Sequence, residues 1–163
     1  MVRKSDLSID GFCEVSDRIQ GGETVEEVSR RTTESAGELF ACAACDLFLE
    51  RDGELVLEST FRSNTDERGS PISRPVAVRT YRKQEPQLIK EMEDEERFEI
   101  DPKYQSLLAV PLGDFGVLQL ADRTPNAFDE RFQMLADMFG GSVTQVLDRR
   151  NEDAPTELPP DVA

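Results

Sequence analysis

Two cysteines spaced three apart, Cys42-Ala-Ala-Cys45, are the sharpest chemical feature of the chain. That spacing can close a disulfide or supply half of a zinc or iron–sulfur site, with Cys13 as a third thiolate. Geometry favours a plainer expectation. In an extended segment, positions i and i+3 point to opposite faces, so only a turn would join the two thiols. A four-ligand zinc site is also short of ligands, because the chain has three Cys and no His. Two small buried thiols are therefore expected, with a redox sensor using Cys42 and Cys45 as the chemical alternative. The missing His also removes imidazole acid–base catalysis and Ser-His or Cys-His nucleophile pairs.

The acidic run Glu91, Glu93, Asp94, Glu95 and Glu96 suggests calcium at first sight. It lacks the alternating Asp pattern of a calcium loop and is read as a solvated surface. No metal or cofactor is expected.

The chain that must position these groups has 163 residues, enough for one domain with one sizeable core. Lys and Arg number 19 against 34 Asp and Glu, a net charge of −15. That balance argues against nucleic acid, where affinity rests on cations meeting phosphates, and against anionic membrane surfaces. There is no apolar stretch long enough to span a bilayer and no apolar run at the start, so the expected location is the cytoplasm. Four of the cations are Lys and the rest are Arg. A fold this acidic repels itself unless salt screens it. The composition matches proteins of salt-in halophiles; an acidic mesophilic protein, or one whose partner has a basic surface, is the alternative.

Apolar periodicity outlines the elements. Residues 5–20 read as a helix stopped by Gly21-Gly22. A second helix starts at Thr24, with Glu27 completing a capping box. Residues 42–50 and 54–61 flank Arg51-Asp52-Gly53, a strong hairpin signal. Residues 62–72 read as loop, 75–83 as a short helix with Pro in its first turn, and 87–90 as a short strand. Residues 106–112 and 115–121 form two further strands around Gly113-Asp114. Asp129 caps a last helix over 129–149, with Phe132, Leu135, Ala136, Phe139, Val143, Val146 and Leu147 on one face. Residues 1–4 and the acidic, Pro-rich segment 150–163 are expected to be disordered around a single domain, 5–149. Hairpins flanked by terminal helices imply an α+β layer fold.

Three stretches resemble the GAF domain, a small-molecule-sensing module of signalling proteins. Residues 106–120, Ser-Leu-Leu-Ala-Val-Pro-Leu-Gly-Asp-Phe-Gly-Val-Leu-Gln-Leu, resemble its most recognisable strand pair. Asn126-Ala-Phe-Asp-Glu130 is similar to the entry into its last helix. Pro75 to Ile89, followed by Glu95-Glu-Arg-Phe98, is similar to the segment bordering its pocket. The acidic, Arg-rich flavour looks most like haloarchaeal members. The likeness implies an antiparallel sheet of five or six strands, in the order 2-1-5-4-3. Terminal helices would lie on one face, with short helices and loops over a pocket on the other. It implies a small-molecule sensor or regulatory module acting through a signalling partner or as a homodimer joined by the terminal helices.

Phe61, Arg62, Arg79, Tyr81 and Tyr104 are then the ligand-binding candidates. A cavity-facing Arg would fix a carboxylate or phosphate. Phe61 also continues the alternation Leu55, Leu57, Ser59, as a core residue would. Pro75, Val76 and Val78 stand where members often have Gly, which favours an interaction module with a filled pocket. Some free-standing members reduce free methionine sulfoxide with pocket cysteines. This chain has none from 46 to 163, so that activity would need Cys42 or Cys45 to reach the pocket.

Overall fold

The computed structural model describes Asp17, Ile19, Gly21 and residues 24–63, 71–91 and 100–153. The expected first helix lies outside these residues except for Asp17 and Ile19, which are helical, Ile19 being buried. Cys13, most of the acidic run 91–99 and residues 154–163 also lie outside them.

Helix α1 (Val25–Leu39) begins where its capping residues require: the Thr24 hydroxyl accepts the Glu27 N–H at 3.1 Å. Strands β1 (Ala44–Arg51) and β2 (Glu54–Arg62) form an antiparallel hairpin. Its turn residues Asp52 and Gly53 both have positive φ, 52° and 87°, as a type I′ turn demands. Helix α2 (Arg74–Lys83) is capped by Ser73, whose hydroxyl accepts the Val76 N–H, and ends on Gln84 in the left-handed region. Strands β3 (Gln87–Ile89), β4 (Ser106–Pro111) and β5 (Gly116–Asp122) complete a five-stranded antiparallel sheet in the order β2-β1-β5-β4-β3. Helix α3 (Glu130–Asp153) starts where Asp129 accepts the Phe132 N–H at 3.0 Å.

Alternation along the strands splits the core in two. Cys45, Leu47, Leu108, Val110, Leu118 and Leu120 face α1 and α3. On that side Phe40 meets Phe132 and Phe139 with ring centroids 6.0 and 6.1 Å apart. Ala44, Phe48, Leu107, Val117 and Ala121 face the other way, under Ile72, α2 and Tyr104. The terminal helix and α1 thus share one face, with Ile19 of the expected first helix buried among them, and α2 covers the other.

Two contacts fasten the covering helix to the rim of the sheet. The Tyr81 hydroxyl donates to the Asp114 carbonyl at 3.0 Å, and the Gln84 amide donates to the Gly113 carbonyl at 3.0 Å. Just beyond, the end of β4 meets α3 closely: a Cβ on Gly140 would come within 3.1 Å of the Leu112 side chain.

One departure from the expected pattern matters for the site. The register shifts between Leu47 and Phe48, so that Leu47 faces Ser59 while Phe48 faces Leu57. The extra residue is Glu58, a β-bulge, and it exchanges the faces of the strand residues beyond it. Leu55 and Leu57 point to the α2 side, but Phe61 packs with the α1 side. The single alternation running from Leu55 through Phe61 is therefore corrected: it breaks at Glu58.

Candidate functional site

A row of polar side chains crosses the α2 face of the sheet. Cross-strand pairing sets Thr60 of β2 beside Asp46 of β1, and Asp46 beside Gln119 of β5. In an otherwise apolar interior, each must find partners. The Asp46 carboxylate is 0 % exposed and receives the Arg62 guanidinium at 2.8 Å, itself 2 % exposed. It also accepts the Thr60 hydroxyl at 2.7 Å and the Ile72 backbone N–H at 2.8 Å. The Gln119 amide binds the next residue from both sides: its oxygen accepts the Ser73 N–H at 3.2 Å, and its nitrogen donates to the Ser73 carbonyl at 2.7 Å. Two neighbours in the polar row thus hold two consecutive residues of the covering segment, and Ser73 in turn caps α2.

Burial pulls the Arg62 guanidinium down, but the hydrogen bond and charge of Asp46 outweigh it and leave it raised. Tyr104, buried under α2, adds to that charge environment.

The structure places the five ligand-binding candidates apart. Arg62 and Tyr104 meet at the buried floor of the α2 face. Arg79 and Tyr81 are half-buried on α2 itself. Phe61 lies on the opposite face, its ring against Gly37 of α1. Asp46 and Gln119 were not among the candidates. Their signal was nonetheless in the sequence, since each interrupts an apolar strand run, Asp46 within 42–49 and Gln119 within 115–121.

Cys42 and Cys45 are buried thiols in the α1–α3 core, away from α2. The Cys42 thiol donates to the Ala44 carbonyl at 3.3 Å. Burial pushes the Cys45 thiol well above its ordinary range, and Cys42 and Asp46 push it further. A thiol held protonated is a poor nucleophile. Among the described residues, no group of three or more Cys, Asp or Glu is arranged to hold a metal ion. No described helix is long and apolar enough to cross a membrane.

An open cleft of about 620 Å³ lies between the β1–β2 hairpin and α2, lined by Leu55, Arg74, Val78, Tyr81 and Arg82 among others. A smaller hollow of about 260 Å³ sits on the other face, between Leu49, Phe115 and Leu147.

Known proteins share this fold. The structure is similar to free methionine-R-sulfoxide reductase from Neisseria meningitidis, with TM-score 0.80, 16% identity and 94% and 96% of the two chains covered. It is also similar to the GAF domain of an Acinetobacter phosphoenolpyruvate-protein phosphotransferase, with TM-score 0.76, 16% identity and coverage of 98% and 100%. Residues 122 to 287 of a methyl-accepting chemotaxis protein match with TM-score 0.71, 15% identity and coverage of 87% and 99%. No curated protein matches the sequence. At these identities the structural likeness carries the fold alone. The GAF domain family model, however, matches residues 22–148, from the start of α1 almost to the end of α3, and the chain belongs to the GAF domain family.

Proposed function

We propose that this chain is a regulatory sensor module. It binds a small molecule on the α2-covered face of its sheet and passes the bound state to a signalling partner or a second copy. The observation that carries this reading is the polar row Thr60–Asp46–Gln119 with Arg62. Stability does not require it, since a buried ion pair is often replaceable by packed apolar groups at no loss. Its effect is to tie the position of Ile72, Ser73 and hence α2 to the sheet. A ligand that competes for any of these bonds would shift the cover.

The output face is the outer side of α3. Met134 and Met138 are 58% and 51% exposed, unusual for large apolar side chains, and Gly141 continues their stripe with open space beside it. A second copy or a partner helix would bury them.

Native mass spectrometry of protein purified from its own host tests the sensor reading. The expected result is a mass excess from a retained small molecule, lost in the Asp46→Asn variant. A second reading, an interaction module with a filled pocket, has the packing of Phe48, Val76, Ala77, Tyr104 and Leu107 in its favour, all buried against one another. It expects no retained molecule and unchanged partner binding in that variant. Sulfoxide reduction by pocket cysteines, the alternative raised from the sequence, would need a cysteine on the α2 face, and Cys42 and Cys45 lie on the other.

A further inference from the structure

We propose that the cleft between the β1–β2 hairpin and α2 is a second binding site, for a small organic anion with an apolar body. Its lining shares no residue with the polar row of the sheet, so it is tested separately from the Asp46 site.

The site comes from one stripe of α2. Arg74, Val78, Tyr81 and Arg82 stand at i, i+4, i+7 and i+8, so they share a helix face. That face lines the cleft of about 620 Å³ together with the hairpin residues Gly53, Leu55, Val56 and, at the rim, the acidic Glu54. Small-molecule sites span roughly 300–1,000 Å³. Val78, Leu55 and the Tyr81 ring supply an apolar wall between two cations set about 12 Å apart along the helix axis.

The charge here runs against the chain. The protein carries −15, yet α2 reads Arg-Pro-Val-Ala-Val-Arg-Thr-Tyr-Arg-Lys, four cations and no acid. Arg82 and Lys83 in the last turn suit the helix dipole. Arg74 in the first turn does not, since a cation there meets the positive end. Its position is instead held by the cleft: it donates to the Leu55 carbonyl and lies 5.5 Å from the Phe48 ring centroid. That leaves most of its fork of donors unspent. Arg82 is exposed, and its side chain has no hydrogen bond or ion pair among the described residues. Tyr81 is fixed by its bond to the Asp114 carbonyl, so the wall stands ready before a ligand arrives. A carboxylate or phosphate would sit on the Arg82 guanidinium, with the ligand's ring or short chain over Val78 and Tyr81 toward Arg74.

Methyl NMR and calorimetry at fixed ionic strength test this with four probes: phenyl phosphate, benzoate, inorganic phosphate and benzyl alcohol. Phenyl phosphate or benzoate should shift the Leu55 and Val78 methyl signals, and the tighter of the two names the head group. Either should bind at least about 10-fold more tightly than inorganic phosphate or benzyl alcohol, because charge and apolar contact act together. Arg82→Ala should weaken the tighter probe about 10-fold, the worth of a charge-assisted bond, and leave the unfolding temperature unchanged. Glu54→Gln should strengthen it about 2-fold by removing a like charge at the rim. Binding of neither organic anion, binding that leaves those methyl signals unmoved, or equal affinity in Arg82→Ala would overturn the proposal.

Discussion

Asp46 has three partners, and they differ in what their loss would do. Asp46→Ala leaves the Arg62 guanidinium buried without its countercharge, and the expected cost is about 3–5 kcal/mol. Replacing both members, Asp46→Leu with Arg62→Met, should cost far less, because no unpaired charge remains. Urea unfolding of the single and double variants makes the comparison. The buried thiols allow a second expectation. Cys45 has a raised folded-state pKa, so the folded chain holds its proton more tightly than the unfolded one. Its contribution to stability is complete below the ordinary thiol pKa and is lost as pH rises through the folded value. In a thiol-reagent assay at pH 8, Cys42 and Cys45 should react only as fast as the protein unfolds. At this scale the sequence was half legible. The buried-thiol expectation for Cys42 and Cys45 rests on spacing and residue type. The roles of Asp46 and Gln119 depend on which strands lie side by side, which no local pattern states.

Elements were easier to read than residues, and the reason is capping. Thr24 and Asp129 each place a side-chain acceptor on a helix's first turn, and each helix starts there; α2 was legible from Pro75 in its first turn, and its Ser73 cap was not read. Thr24→Ala should therefore lower stability by about 1 kcal/mol in thermal or urea unfolding. The Asp-Gly turn was equally explicit, because few residues accept two positive φ angles in succession. The bulge at Glu58 was hidden from any local pattern. A strand with an extra residue keeps its composition and loses only its parity, so Phe61 reads as a neighbour of Leu57 and folds against the opposite layer. Close approach was hidden too. A Cβ on Gly116 would run into the Phe48 carbonyl across the β1–β5 pair. Gly116→Ala is expected to destabilise by about 1–3 kcal/mol or more, as overpacking does, and circular dichroism melts would read it.

Over the whole molecule, charge and exposed apolar surface set the behaviour. At −15 the fold repels itself, and molar salt shortens the screening length to about 3 Å. Thermal unfolding monitored from low to molar KCl should show the midpoint rising steeply. The proposal that the outer side of α3 joins two copies expects Met134→Glu with Met138→Glu to lower the mass read by light scattering without unfolding the protein, since both side chains already face solvent. The element order alone implied an α+β layer fold, and the placing of terminal helices on one face came from the family resemblance. The cleft at the hairpin was not, because it is made by a helix stripe meeting a strand edge far away in sequence.

The rim that holds α2 by Tyr81 and Gln84 has one more property. The backbone gripped on one side, Gly113 and Asp114, leads directly into Leu112, which abuts α3 at Gly140. The two layers thus also meet at the border of the sheet, beside the hold that Asp46 and Gln119 give α2 through its strands. A tilt of α2 would tug this corner and arrive at the last helix in the middle of its length, a few residues from Met138. Removing this corner with Tyr81→Phe and Gln84→Ala should leave both layers folded and loosen α2 at its C-terminal end, read as faster amide exchange there.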